Sequence, residues 1–145
     1  VISYIGNFVG SFILGGLFVW SNASHQILVD YYRSFIYTKL DATPMELFVR
    51  GVLCNFLVCL AVYTGMKLKS ESGKMIMMFC IITAFVLAGF EHCVANMGTF
   101  TIGYMLLGDI GTAAVIKSQF FVTLGNIVGG AVLLAFPLKQ MSAEH

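Results

Sequence analysis

The chain of 145 residues is 59% hydrophobic and 10% charged, with a formal net charge of +1, and its mean hydropathy is +0.90. Soluble domains hold roughly 25% charged residues, so the composition points to a membrane protein, and the near-neutral balance gives no sign of nucleic acid as a partner. The four cysteines, Cys54, Cys59, Cys80 and Cys93, lie inside apolar runs, where cysteine acts as a small buried hydrophobe and not as a disulfide framework or metal set.

The chain opens at Val1 without an initiator Met, already inside an apolar run that no basic segment precedes. A secretory signal peptide is therefore not expected, and a fragment or processed chain is. The first span is expected over about 1–20, with Gly6, Gly10, Gly15 and Gly16 placed for close helix contact. Residues 23–45 read as a polar, partly amphipathic connection carrying His25, Asp30, Arg33, Lys39 and Asp41. Its aromatic cluster, Tyr31, Tyr32, Phe35 and Tyr37, suits a membrane–water interface. A second span is expected over about 45–66 and contains Asn55; Lys67, Lys69, Glu71 and Lys74 then form a short basic loop.

Residues 75–108 are the longest reach without charge, broken only by the adjacent pair Glu91-His92. An ionisable pair in the middle of an apolar span is costly in hydrocarbon and marks a pathway or a proton relay. The reach exceeds the about 20 residues of one membrane helix and is too short for two spans and a loop. After the pair, Cys93 to Gly103 cluster glycine, threonine and asparagine, poor helix formers. The expectation is two half-helices over about 75–107 meeting at a break beside His92, the second beginning near Thr99. Such breaks are tolerated only where they line a cavity or are buried in protein. The last span is expected over about 118–138.

Short loops follow the positive-inside rule, which places the 67–74 loop and Lys139 in the cytoplasm and Arg33, Lys39, Arg50 and Lys117 outside. One internal echo stands out. Gly6-Asn7-Phe8-Val9-Gly10 of the first span recurs as Gly125-Asn126-Ile127-Val128-Gly129 of the last. Transporters are often built from inverted repeats with matching interrupted helices. If spans one and four are equivalent, spans two to four form one repeat and span one is the last helix of another. The chain then reads as the C-terminal part of a six-span protein, with two further spans expected from upstream sequence or a separate chain.

Three motifs carry a resemblance that covers the chain from end to end. Phe90-Glu91-His92-Cys93-Val94-Ala95-Asn96-Met97 resembles the broken fifth helix of the formate/nitrite transporter family. Residues Gly51 to Val62 resemble its fourth helix, and Leu124-Gly125-Asn126-Ile127-Val128-Gly129-Gly130 its sixth. Within the family the chain looks most similar to the bacterial hydrosulfide channel branch. The resemblance implies an all-α, aquaporin-like helical bundle, a homopentamer in the bacterial inner membrane surrounded by lipid. Each protomer would have its own pore for small monovalent anions (hydrosulfide, formate or nitrite), with no cofactor and no enzymatic activity.

It also implies residue roles. His92 matches the central pore histidine, with a structural histidine as the alternative. Asn55 and Asn126 match asparagines near the ends of the slit; helix–helix hydrogen bonding is the other reading of each. Phe85, seven residues before His92 and two helical turns along nearly the same face, matches a constriction phenylalanine, and Val58 the narrow point on the fourth helix; core packing is the alternative for both. Lys39 matches a vestibule lysine that raises local anion concentration, against a solvated loop lysine. Glu91 is expected to accept main-chain N–H groups freed at the break, or else to relay protons. A proton-coupled carrier on the same scaffold competes with a channel. A haem-binding redox subunit needs two axial ligands at membrane depth, where only His92 lies.

Overall fold

The computed structural model describes residues 2–23 and 25–143. The expected start of the first span at Val1, and His145 at the end of the chain, lie outside the described residues. Every regular element among the described residues is helical: α1 (Ile2–Trp20), α2 (His25–Leu40), α3 (Pro44–Lys67), α4 (Glu71–Leu87), α5 (Cys93–Leu107) and α6 (Thr112–Ile127). A π-helical stretch, Val128–Ala135, then leads into α7, Phe136–Ala143. Three uninterrupted helical runs, Ile2–Trp20, Pro44–Lys67 and Thr112–Ser142, are long and apolar enough to cross a membrane, and Cys93–Leu107 is a shorter apolar helix.

The chain divides into two compact units. The first comprises the residues up to Pro44 together with Cys93–Phe120, and the second Met45–His92 together with the chain from Phe121 onward.

In the first unit, α1 packs along α5 through small residues. A Cβ on Gly15 would stand 3.0 Å from the Thr101 methyl group, and one on Gly98 3.9 Å from Ser11. Gly15 and Gly16 are the buried residues of α1, whereas Gly6 and Gly10, also expected at helix contacts, have nothing within 4 Å. The 23–45 connection is in fact mostly the continuous helix α2. Its Ile36 and Leu40 join Phe100 of α5 and Ile110 in a buried apolar cluster, and that burial holds in helical form a segment too polar to stand alone. The exposed Arg33 guanidinium donates to Asp109 at 3.0 Å. Lys117 of α6 donates to the Leu40 and Ala42 carbonyls at 2.9 and 3.2 Å, which satisfies main-chain acceptors at the C-terminal end of α2.

In the second unit, α3 begins with Pro44 at a position that needs no N–H, carries Glu46 in its first turn and ends with Lys67, each favourable for the helix dipole. Ser70 caps α4 by accepting the Gly73 N–H at 3.2 Å. The seam between α3 and the later residues of α6 is a backbone-to-backbone contact. A Cβ on Gly51 would lie 2.8 Å from the Val122 carbonyl oxygen, and Cβ atoms on Gly125 and Gly129 would run into the carbonyls of Phe48 and Val52. The π-helical stretch just precedes Pro137, whose ring clashes with the carbonyl four residues back and whose nitrogen cannot donate. The helix widens there, and the Phe136 N–H reaches back to the Ala131 carbonyl.

Candidate functional site

The break lies before His92, not after it. α4 ends at Leu87, Gly89 turns the chain with φ +68°, and α5 already begins at Cys93. Only glycine adopts that left-handed conformation without strain, and its place after the last helical residues makes it the stop signal of the first half-helix. The glycine, threonine and asparagine residues read as breakers of the second half are instead its contact residues. Gly103 lies under Ile36 and Ile110, the Thr101 hydroxyl donates to the Met97 carbonyl at 2.8 Å, and Asn96 is bonded to Lys39. Tertiary packing overrides weak helix propensity here. The expected start of the half-helix near Thr99 is therefore corrected to Cys93.

With residues 88–92 outside any helix, helical spacing does not relate the groups on the two sides of the break. Phe85 and His92 do not share one helical face, because residues 88–92 are not helical; Phe85 and Val58 are each half-buried on their own helices, α4 and α3. Glu91 and His92 likewise lie outside any helix. Glu91 is fully buried, with 2% of its surface exposed. Its N–H donates to the Arg50 carbonyl at 3.3 Å, and its carbonyl accepts from Asn126 Nδ2 at 2.9 Å. His92 is half-buried and directly precedes the first residue of α5. The positive end of the α5 dipole therefore begins at the next residue in the chain.

The asparagines make helix-to-helix bonds within the second unit. Asn126 Nδ2 donates to the Gly51 carbonyl at 2.8 Å as well as to Glu91, and Asn55 Nδ2 donates to the Asn126 carbonyl at 2.6 Å. In the first unit, the Lys39 ammonium is buried, donates to Asn96 Oδ1 at 3.2 Å and lies 4.9 Å from the centre of the Phe35 ring. It is not a solvated loop lysine. Asn96 was missed as a site residue because its neighbours suggested a loop; the available signal was a polar residue one turn after an ionisable pair inside an apolar span.

A cavity of about 430 Å³ in the first unit is walled mainly by Tyr4, Phe8, Phe12, Phe100 and Val115. It does not suit an anion. Of its few polar groups, the Thr101 hydroxyl is donated to the Met97 carbonyl, and Gln119 Nε2 donates to the Cys93 carbonyl and to Tyr4 Oη, each at 2.8 Å. One neutral donor is left over, the buried Tyr104 hydroxyl, and it compensates a dehydrated charge only in small part.

Apolar helices long enough to cross a membrane, with a chain interruption at the fully buried Glu91 and the half-buried His92, are features of a membrane protein with ionisable groups inside an apolar reach. The sequence profile of the Formate/nitrite transporter family matches residues 1–139, and the chain belongs to that family. It is 34% identical to the "Uncharacterized transporter YwcJ" of Bacillus subtilis (strain 168), over 99% of this chain and 57% of that protein. It is 31% identical to the "Nitrite transporter NirC" of Escherichia coli (strain K12), over 91% of this chain and 50% of NirC. Among solved structures it matches a "Pentameric formate channel with formate bound" with a TM-score of 0.83 and 30% identity, over 97% of this chain and 64% of that one. These relatives are transporters and channels, not enzymes, and the chain spans about half the length of the curated relatives it matches.

Proposed function

We propose that the chain forms part of a pentameric channel of the bacterial inner membrane that passes small monovalent anions, namely formate, nitrite or hydrosulfide, with His92 as the polar group at the driest point of the path. The observation that carries this reading is the break itself: a half-buried histidine immediately before the N-terminus of a half-helix, in a chain of the formate/nitrite transporter family.

The physical task is dehydration. A monovalent anion entering an apolar slit loses hydration at a cost of many kcal/mol unless it is paired or neutralised. His92 donates a hydrogen bond or lends a proton, because imidazole changes charge near neutral pH. The positive dipole end of α5, which begins at the next residue in the chain, favours negative charge. In this reading Phe85 and Val58 form the apolar constrictions. For Asn126 and Asn55, donation to main-chain carbonyls supports helix binding over contact with the anion.

A proton-coupled carrier is the second reading, favoured by the placement of a titratable His92 at the break. Flux of a panel of formate, nitrite and hydrosulfide is measured in liposomes carrying the full-length protein. Reversal potentials that follow the anion gradient alone support a channel, dependence on the proton gradient a carrier, and absence of flux for all three anions removes the reading.

A further inference from the structure

Asn126 is tied into the molecule on both its side chain and its main chain. Its carboxamide nitrogen carries two hydrogens, and these go to two carbonyls on different segments, Gly51 of α3 at 2.8 Å and Glu91 of the break at 2.9 Å. Its own carbonyl accepts from Asn55 Nδ2 at 2.6 Å. The reach across is short because Gly51 and Gly125 have no side chains and let the two backbones approach. Asn126 is 4% exposed, so these bonds form away from competing water.

The position of the accepted carbonyl is what matters. The Glu91 carbonyl belongs to the same planar peptide unit as the His92 N–H. The peptide unit on the other side of Glu91 is held as well, since the Glu91 N–H donates to the Arg50 carbonyl at 3.3 Å. Both planes that flank Glu91 are therefore anchored to neighbouring helices, and the place of the His92 Cα follows from them. Without Asn126, the plane nearer to His92 loses this side-chain anchor in a segment that lies outside the regular helices.

We propose that Asn126 is a positioning residue for His92, fixing through the Glu91 carbonyl the peptide unit from which the histidine projects. The inference rests on the reading of His92 as the central group of the anion path. Asn126 acts on the anion only through the histidine: a displaced imidazole no longer meets the anion at its driest point, and a displacement of about 1 Å can lower a rate about 100-fold.

The test uses the full-length protein in liposomes, with Asn126→Ala, Asn126→Ser and a control, Thr64→Val. The control removes hydroxyl bonds to the Leu60 and Ala61 carbonyls within α3, in the same unit. Amide hydrogen exchange of the 88–92 segment and the pH profile of anion flux are read in pentamers matched by size. In either Asn126 variant, exchange at 88–92 is expected to rise at least about tenfold and the pH profile to flatten or shift, while Thr64→Val matches the parent in both. Parent-like exchange at 88–92 in an assembled Asn126 variant overturns the proposal. So does the same change in Thr64→Val, or failure of both Asn126 variants to assemble while the control assembles, which makes Asn126 a folding residue. Exchange does not depend on conduction. If exchange responds to Asn126 but His92→Phe conducts like the parent, the anchor stands and the reading of His92 fails.

Discussion

The Lys39 ammonium donates to the Asn96 carboxamide oxygen across 3.2 Å, with 9% and 2% of the two residues exposed. One group closes the last turn of α2 and the other opens the first turn of α5. The pair thus joins the two helices by a charge-assisted bond placed out of water. Its field acts on its own surroundings, since bulk ions screen a buried charge far less than a surface one.

Lys39→Met is accordingly expected to lower anion flux by about tenfold at both low and high ionic strength. Flux assays at two salt concentrations check this. A loss confined to low salt would mean that Lys39 works as a surface collector of anions.

The same pair sets a stability prediction. Asn96→Leu removes an acceptor from a buried cation and is expected to destabilise the folded protein by about 1.5–3 kcal/mol. In the double variant Lys39→Met/Asn96→Leu the loss is less than the sum of the two single losses, because the shared bond is counted twice in that sum. Denaturant unfolding in detergent for the four proteins gives the answer, and strict additivity would deny the coupling.

His92→Phe keeps an aromatic side chain but removes both hydrogen bonding and titration, and it is expected to cut anion flux steeply while pentamers form. His92→Asn keeps a donor that does not titrate, so it conducts with a flatter pH dependence than the parent. Liposome flux across a pH series separates the two abilities. Parent behaviour in both assembled variants would make His92 structural.

Two glycines should respond in opposite ways to a single methyl group. At Gly125 the new Cβ runs into the Phe48 carbonyl, main chain that cannot move aside cheaply, and Gly125→Ala is expected to cost about 1–3 kcal/mol or more. At Gly98 the nearest atom to a new Cβ is 3.9 Å away, an ordinary contact. Gly98→Ala is therefore expected to be neutral or stabilising by up to about 1 kcal/mol. Thermal unfolding of both variants decides the matter.

The parts of the fold that hydrophobic length controls were legible in the sequence. The helices Ile2–Trp20 and Pro44–Lys67 fall on the stretches expected for the first two spans, and two helices separated near Glu91-His92 occupy the 75–107 reach, although α4 begins at Glu71, inside the expected 67–74 loop. What was not legible depends on partners distant in the chain. The side of His92 on which the break falls is decided by Gly89 and by the packing of Gly103, Thr101 and Asn96, which composition alone scored as loop. α2 was read as a partly amphipathic connection because its apolar residues gain stability only against Phe100 and Ile110. Lys39 was visible as a cation, but its burial was not, since its acceptor lies in a different helix. The asparagines are visible in the sequence as polar groups in apolar spans, while the carbonyls they bind carry no sequence signature at all.

That last point sets where substitutions at the break will be tolerated. Of the groups that hold Glu91, Arg50 contributes only a carbonyl and Gly51 a carbonyl together with the lack of a side chain, whereas Asn126 contributes a carboxamide. A carbonyl is the same in every residue. Position 50 can therefore drift among helix formers without loosening this bond, position 51 can hold little but glycine, and position 126 must keep a side chain of one length with two hydrogens on one nitrogen. In a saturation library selected for anion uptake, diversity should survive at 50 and collapse at 51 and 126, although all three positions serve the same few ångströms of backbone.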